Sequence, residues 1–247
     1  RWEKGDKRPV GEEIRVLDAE NTDDSAMKEI LLENGFPFAF PEEALEVAAR
    51  IPDTISQDEI KKRKDVRDIL TFTIDPVDAK DFDDAISIRK IKEGLYEIGV
   101  HIADVSYYVE PDNDLDKAAY LKATSVYLPD RVNPMLPEHI SNVLCSLRPN
   151  EDKLTFSAIF QINAKAEVKT CWLGRTIMHS DRRFTYEEAQ DIIETKAGDH
   201  AEEILLLNEL AQKMRKKRIN KGAINFSSQE VRFKLDENCD PVGIMIK

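Results

Sequence analysis

Five aspartates crowd into the ten positions from Asp75 to Asp84, offset by a single lysine, Lys80. Ahead of them Phe72 and Ile74 alternate with Thr71 and Thr73, the two-residue period of a half-buried strand, which Pro76 breaks. Apolar residues resume at Ala85, Ile86 and Ile88, so the acid run lies between two half-buried segments rather than in a free tail. Two carboxylates ~4 Å apart repel by ~4 kcal/mol at an effective dielectric of ~20. Divalent cations would relieve such crowding; a solvated acidic loop is equally open on spacing alone. An EF-hand is excluded. Starting from Asp75, Asp78 or Asp81, its ligand ladder fails at the second or third position, and no glycine stands at its turn.

The 247 residues could hold one large domain or two small ones, and at 41% hydrophobic and 34% charged they have the profile of a soluble globular protein. No apolar run approaches the ~20 residues that span a bilayer, and no N-terminal signal pattern is present. Cys145, Cys171 and Cys239 are odd in number and widely spaced. They read as reduced, mostly buried thiols, which suits a cytoplasmic protein without a membrane partner. A net charge of −12 disfavours nucleic acid as a partner when taken alone. It says little of a single groove, and a metal-holding site must itself be acidic.

The periodicities predict a chain of both helices and strands. Residues 13–17 read as a strand, and three polar helices follow before residue 68. A basic run, Lys61, Lys62, Arg63 and Lys64, stands just ahead of the acid segment, as a solvated face or an RNA contact. A hairpin is predicted over 85–89 and 95–102. A helix near 115–123, a short strand over 125–128 and a short helix over 138–143 follow. Residues 153–163 alternate cleanly, predicting a strand with Leu154, Phe156, Ala158, Phe160 and Ile162 inward. A partner strand spans 168–178. Thr185 and Glu188 spell a capping box, and a long helix over 200–221 carries a basic C-terminal half. Strands near 230–235 and 242–246 close the chain.

The acid frame, Thr73-Ile74-Asp75 through Asp78-Ala79 to Asp81-Phe82-Asp83-Asp84-Ala85, resembles the catalytic signature of the ribonuclease II/ribonuclease R family. Two further blocks agree in the same order: Gly99-Val100-His101-Ile102-Ala103-Asp104-Val105-Ser106, and Thr124-Ser125-Val126-Tyr127-Leu128-Pro129-Asp130-Arg131 onward to Leu144-Cys145-Ser146-Leu147. The resemblance implies an α+β exoribonuclease domain, a mixed, largely antiparallel sheet with flanking helices, over 67–247, preceded by a helical linker over 21–66 and by the end of a cold-shock-type OB barrel over 1–20. It also implies that the domain continues past Lys247 with a glutamate, arginines and a basic S1 barrel, so the chain reads as a fragment of a monomeric enzyme.

The implied activity is processive 3′-to-5′ hydrolysis of single-stranded RNA to 5′-mononucleotides with two Mg²⁺, replaceable by Mn²⁺. In this analogy Asp75 and Asp84 hold one ion and Asp83 the other, while Asp81 orients the attacking water or completes the second site. Asp78 lies outside the ligand set. Tyr127 matches a residue that stacks on the 3′ nucleotide, Phe226 the far jaw of a base clamp, and Tyr186 a tyrosine touching a sugar. His101, in an alternating strand, reads as structural rather than as a general base, and Asp104 and Arg131 as partners behind the site. The rival from another class is a catalytically silent RNA-binding scaffold. Loss of an aspartate would signal it, and all four are present.

Overall fold

The computed structural model describes residues 22–224, 231–237 and 241–246; the expected barrel remnant at 1–20 and Phe226 lie outside them. Three helices come first: α1 (Thr22–Glu33), α2 (Glu42–Ala49) and α3 (Gln57–Lys61), the last capped by the Ser56 hydroxyl on the Glu59 amide. The sheet is then laid down by β1 (Lys64–Asp65), β2 (Thr71–Asp75), β3 (Asp84–Lys92) and β4 (Leu95–Ala103). After the short α4 (Val105–Tyr108) and α5 (Asp114–Lys122) comes a two-strand ribbon, β5 (Val126–Tyr127) with β6 (Val132–Asn133). A π-helical turn, His139–Leu144, leads into β7 (Glu151–Asn163), β8 (Val168–Ser180) and β9 (Arg182–Thr185). Helices α6 (Tyr186–Thr195) and α7 (Ala201–Asn220) and the hairpin β10 (Val231–Leu235) with β11 (Pro241–Ile246) complete the order.

Seven strands form one sheet in the order β1-β8-β7-β4-β3-β2-β9. The two edge pairings, β1 with β8 and β2 with β9, are parallel and the rest antiparallel, the mixed sheet that the family resemblance implies. Successive residues of β3 divide between two cores. Ile86 and Ile88 join Phe72, Ile98, Ile162 and Phe184 under Ile192 of α6 and Ile204 and Leu210 of α7. Ala85 joins Ala103, Leu115, Ile140, Leu144, Ile159 and Met178. Strand β2 is therefore covered on both faces: Thr71, Phe72 and Thr73 are all fully buried.

Three expectations are corrected. Leu154 and Ile162 do point inward on β7, but Phe156 is 50% exposed, while Thr155, Ser157 and Ile159 of the opposite face are buried. The reason is a polar core that alternation cannot reveal. His101 lies between Ser157 (2.7 Å) and Ser87 (2.8 Å), Ser157 meets Thr176, and Thr176 meets Thr155 at 2.6 Å. Each hydroxyl in this ladder has a partner, so the polar face can leave water at little cost. Gly99 belongs to it, because a Cβ there would collide with both Ser87 Oγ and the His101 ring. Second, the basic run is not one solvated face. The Arg63 side chain is fully buried between Glu59 and Asp104, 2.8 Å from each. Third, Cys145 is buried as expected, but Cys171 is exposed.

Candidate active site

The acid loop leaves the sheet at the end of β2 and returns at the start of β3. Asp75, the last residue of β2, pairs across the parallel edge with Thr185, and Asp84, the first of β3, stands opposite Ile102. Asp75, Asp78, Asp81 and Asp83 line one cavity of about 650 Å³, together with Tyr127, Arg131 and Glu138. Asp84 is exposed and does not line that cavity, though its charge acts on Asp75 and Asp83. The expected catalytic carboxylates thus meet at one end of the sheet, and Asp78 shares the cavity with them.

Their mutual repulsion is only partly relieved by the protein. Asp75 is buried, and its Oδ2 is sealed from solvent without a hydrogen-bond partner. Burial pushes its carboxyl above the usual range, and the charges of Asp84 and Asp81 push it further, against the opposing pull of the Thr73 hydroxyl and the Arg183 guanidinium. Asp83 is open to the cavity yet surrounded by enough protein to be pushed up as well, first by desolvation and then by Asp81, Asp84 and Asp75. The four carboxylates act on one another as a set, which is the condition that a bound cation reverses. As donors, hard carboxylate oxygens with one orphaned buried oxygen fit Mg²⁺. Among the described residues no three such groups are already closed into a metal-binding arrangement.

The loop is held by residues far away in sequence. Arg183 of β9 donates through Nη2 to the carbonyls of Pro76 (2.5 Å) and Val77 (3.1 Å), and its guanidinium lies 5.4 Å from the centroid of the Phe82 ring. At the other end Ser146, wholly buried, accepts from the Phe82 amide at 3.0 Å and donates to the Lys80 carbonyl at 2.9 Å. The Leu147 amide adds a bond to the Phe82 carbonyl at 2.8 Å. The sequence reading missed Arg183, because only the parallel pairing of β9 with β2, which sets Arg183 beside Thr73, brings it here.

Of the expected aromatics, Tyr127 reaches the site: its hydroxyl donates to Asp81 Oδ2 at 3.2 Å, and the residue is 67% exposed. Tyr186 opens α6 one residue after the partner of Asp75 and is half exposed. Arg131 lines the cavity, paired with Asp130 Oδ2 at 2.6 Å. Asp104 is instead buried between Arg63 and Arg175, at 2.8 and 3.3 Å. His101 is fully buried in the polar core, and desolvation pulls its pKa down to about 4. It is neutral and structural.

Comparison with known proteins agrees with this geometry. Residues 63–247 match the RNB domain. The chain is 39% identical over 254 residues to DIS3-like exonuclease 2 of Schizosaccharomyces pombe, covering 96% of this chain and 27% of that protein. It is 38% identical over 240 residues to ribonuclease R of Aquifex aeolicus, covering 95% of this chain and 34% of the relative. In structure it resembles Mycoplasma genitalium RNase R in complex with ribose methylated single-stranded RNA. The TM-score is 0.83 at 28% identity, over 90% of this chain and 35% of that one. The chain therefore spans about a quarter to a third of these relatives. Its mixed sheet and the match over three quarters of its length make it a member of the RNB family, that of the ribonuclease R-type exoribonucleases.

Proposed function

We propose that this chain carries the metal-holding half of a hydrolytic exoribonuclease site that shortens single-stranded RNA processively from its 3′ end to 5′-mononucleotides. One observation carries the reading: a buried Asp75 oxygen without a partner, among mutually repelling carboxylates, at a cavity that also presents an exposed tyrosine. Asp75, Asp83 and Asp84 would hold two Mg²⁺, or Mn²⁺ in their place. Bound there, the ions would supply a deprotonated water, neutralised phosphate oxygens and a stabilised leaving oxygen. Asp81 would orient the attacking water or complete the second position.

The remaining side chains bind and orient RNA. The exposed ring of Tyr127 offers a stacking face for the terminal base, worth ~1–3 kcal/mol and indifferent to sequence. Its hydroxyl on Asp81 ties base placement to the carboxylate set. By the family resemblance, Tyr186 and Phe226 would add further RNA contacts.

The test uses the full-length protein with single-stranded RNA labelled at its 5′ end, with Mg²⁺, with Mn²⁺ and with excess EDTA. Ladder-free loss of label into short ends and release of nucleoside 5′-monophosphates is expected with either metal, and chelation stops it. Undiminished cleavage in EDTA would overturn the metal account. RNA binding without any hydrolysis would favour the silent scaffold.

A further inference from the structure

We propose that Ser146 is a positioning residue for the carboxylate set, acting through the backbone on both sides of Asp81. The proposal rests on the reading of the site just given. The Lys80 carbonyl belongs to the peptide before Asp81 and the Phe82 amide to the peptide after it, and both are bonded to the one Ser146 oxygen. A hydroxyl is the smallest group that donates and accepts from one atom, so it can fix both peptide planes while remaining wholly buried.

The geometry leaves Asp81 little freedom. Its two flanking peptides are tied to Ser146, the Phe82 carbonyl to the Leu147 amide, and its own carboxylate receives the Tyr127 hydroxyl. The next aspartate, Asp83, accepts through its carbonyl from the Ala103 amide at the end of β4. Carboxylates that repel one another would turn apart on a free loop. Ser146 and β4 together hold the backbone of 80–83 so that Asp81 and Asp83 keep facing one cavity. Arg183 secures the entry to the loop at Pro76 and Val77, but none of its hydrogen bonds reaches the peptides around Asp81.

The experiment compares Ser146→Ala, Ser146→Thr and Ser146→Val in the full-length protein. Thr and Val add the same bulk, and only Thr keeps the hydroxyl. Amide hydrogen exchange at Phe82, read without metal or RNA, should quicken at least tenfold in Ser146→Ala and Ser146→Val and less in Ser146→Thr. With saturating RNA, kcat should fall at least tenfold in the first two, KM for RNA should stay within about twofold, and Ser146→Thr should recover most of the rate. Wild-type exchange at Phe82 with wild-type kcat in Ser146→Ala would overturn the proposal. So would equal loss in the Thr and Val variants, which would make bulk the cause, or global unfolding of Ser146→Ala, which would make the role one of stability. If the wild-type protein were no metal-dependent nuclease, the functional reading would fail while the exchange result still judged the clamp.

Discussion

Two polar clusters share the sheet, and they have been resolved in opposite ways. In the ladder of Ser87, His101, Ser157, Thr176 and Thr155 every member has a partner on a neighbouring strand, and the group is sealed from water. At the end of the same strands Asp75, Asp81, Asp83 and Asp84 repel one another, and one Asp75 oxygen is buried without a partner. A satisfied buried network specifies a structure; a group left unsatisfied in an otherwise well-packed protein needs another explanation. The contrast is one of charge: the ladder pairs its polar groups among themselves, while the acid loop, though held by Ser146 and Arg183, keeps carboxylates that repel one another.

That contrast breaks most visibly under substitution at Asp83. Asp83→Asn in the full-length protein should lower kcat by about a thousandfold or more, ~4 kcal/mol, while RNA affinity stays within a few-fold. In the metal-free protein the same change should raise the melting temperature, because it removes one of four mutually repelling charges. A fall in the melting temperature, or affinity lost in step with rate, would place Asp83 on the satisfied side of the comparison.

Acid should act on the ladder next. His101 has its pKa pulled from 6.5 down to about 4 by burial, so between those values the unfolded chain binds a proton that the folded chain refuses. Its contribution is neutral above pH 6.5 and increasingly destabilising below it, reaching ~3 kcal/mol near pH 4. Unfolding free energies of wild type and His101→Gln across pH 4–7 check this: the wild type should lose stability more steeply than the variant. Parallel curves would remove the histidine from the account.

Ser87→Ala should cost ~1–3 kcal/mol by leaving His101 Nε2 without its partner in a dry site. Chemical denaturation measures it, and no change would show the ladder to be redundant. The smallest effect is expected from Tyr127→Phe, which keeps the stacking face and loses only the bond to Asp81: a few-fold drop in kcat with KM unchanged. Tyr127→Ala should instead raise KM about tenfold by removing ~1–3 kcal/mol of stacking. Equal effects of the two variants would leave the ring without a role.

How far the chain could be read before folding follows the same division. The hairpin of β3 with β4 and the capping box at Thr185 were legible because each is written in local period or spacing. The α+β class and the gathering of the aspartates were legible only through the family resemblance. The polar core was not. Thr155, Ser157 and Thr176 look like an outward face until His101 arrives from another strand. Arg63 read as part of a surface run because its partner Asp104 lies some forty positions on. Arg183 carries no signal of its own, since only the register of β9 on β2 brings it to the loop. Ser146, though part of a block that carries the resemblance, gives no sign of its two bonds to the loop.

The clamps on the acid loop also set the order in which the site can be assembled. Ser146 holds a carbonyl 66 residues earlier in the chain, and Arg183 holds one 107 residues earlier. During synthesis at ~5–20 residues per second, roughly 5–20 s separate the appearance of Pro76 from that of Arg183. Until Ser146 emerges the aspartates lack both clamps, and until Arg183 follows the entry to the loop at Pro76 and Val77 lacks its own. Cation binding at the loop would then mark a late step in maturation, and a chain interrupted before β9 would be left without a formed cutting site.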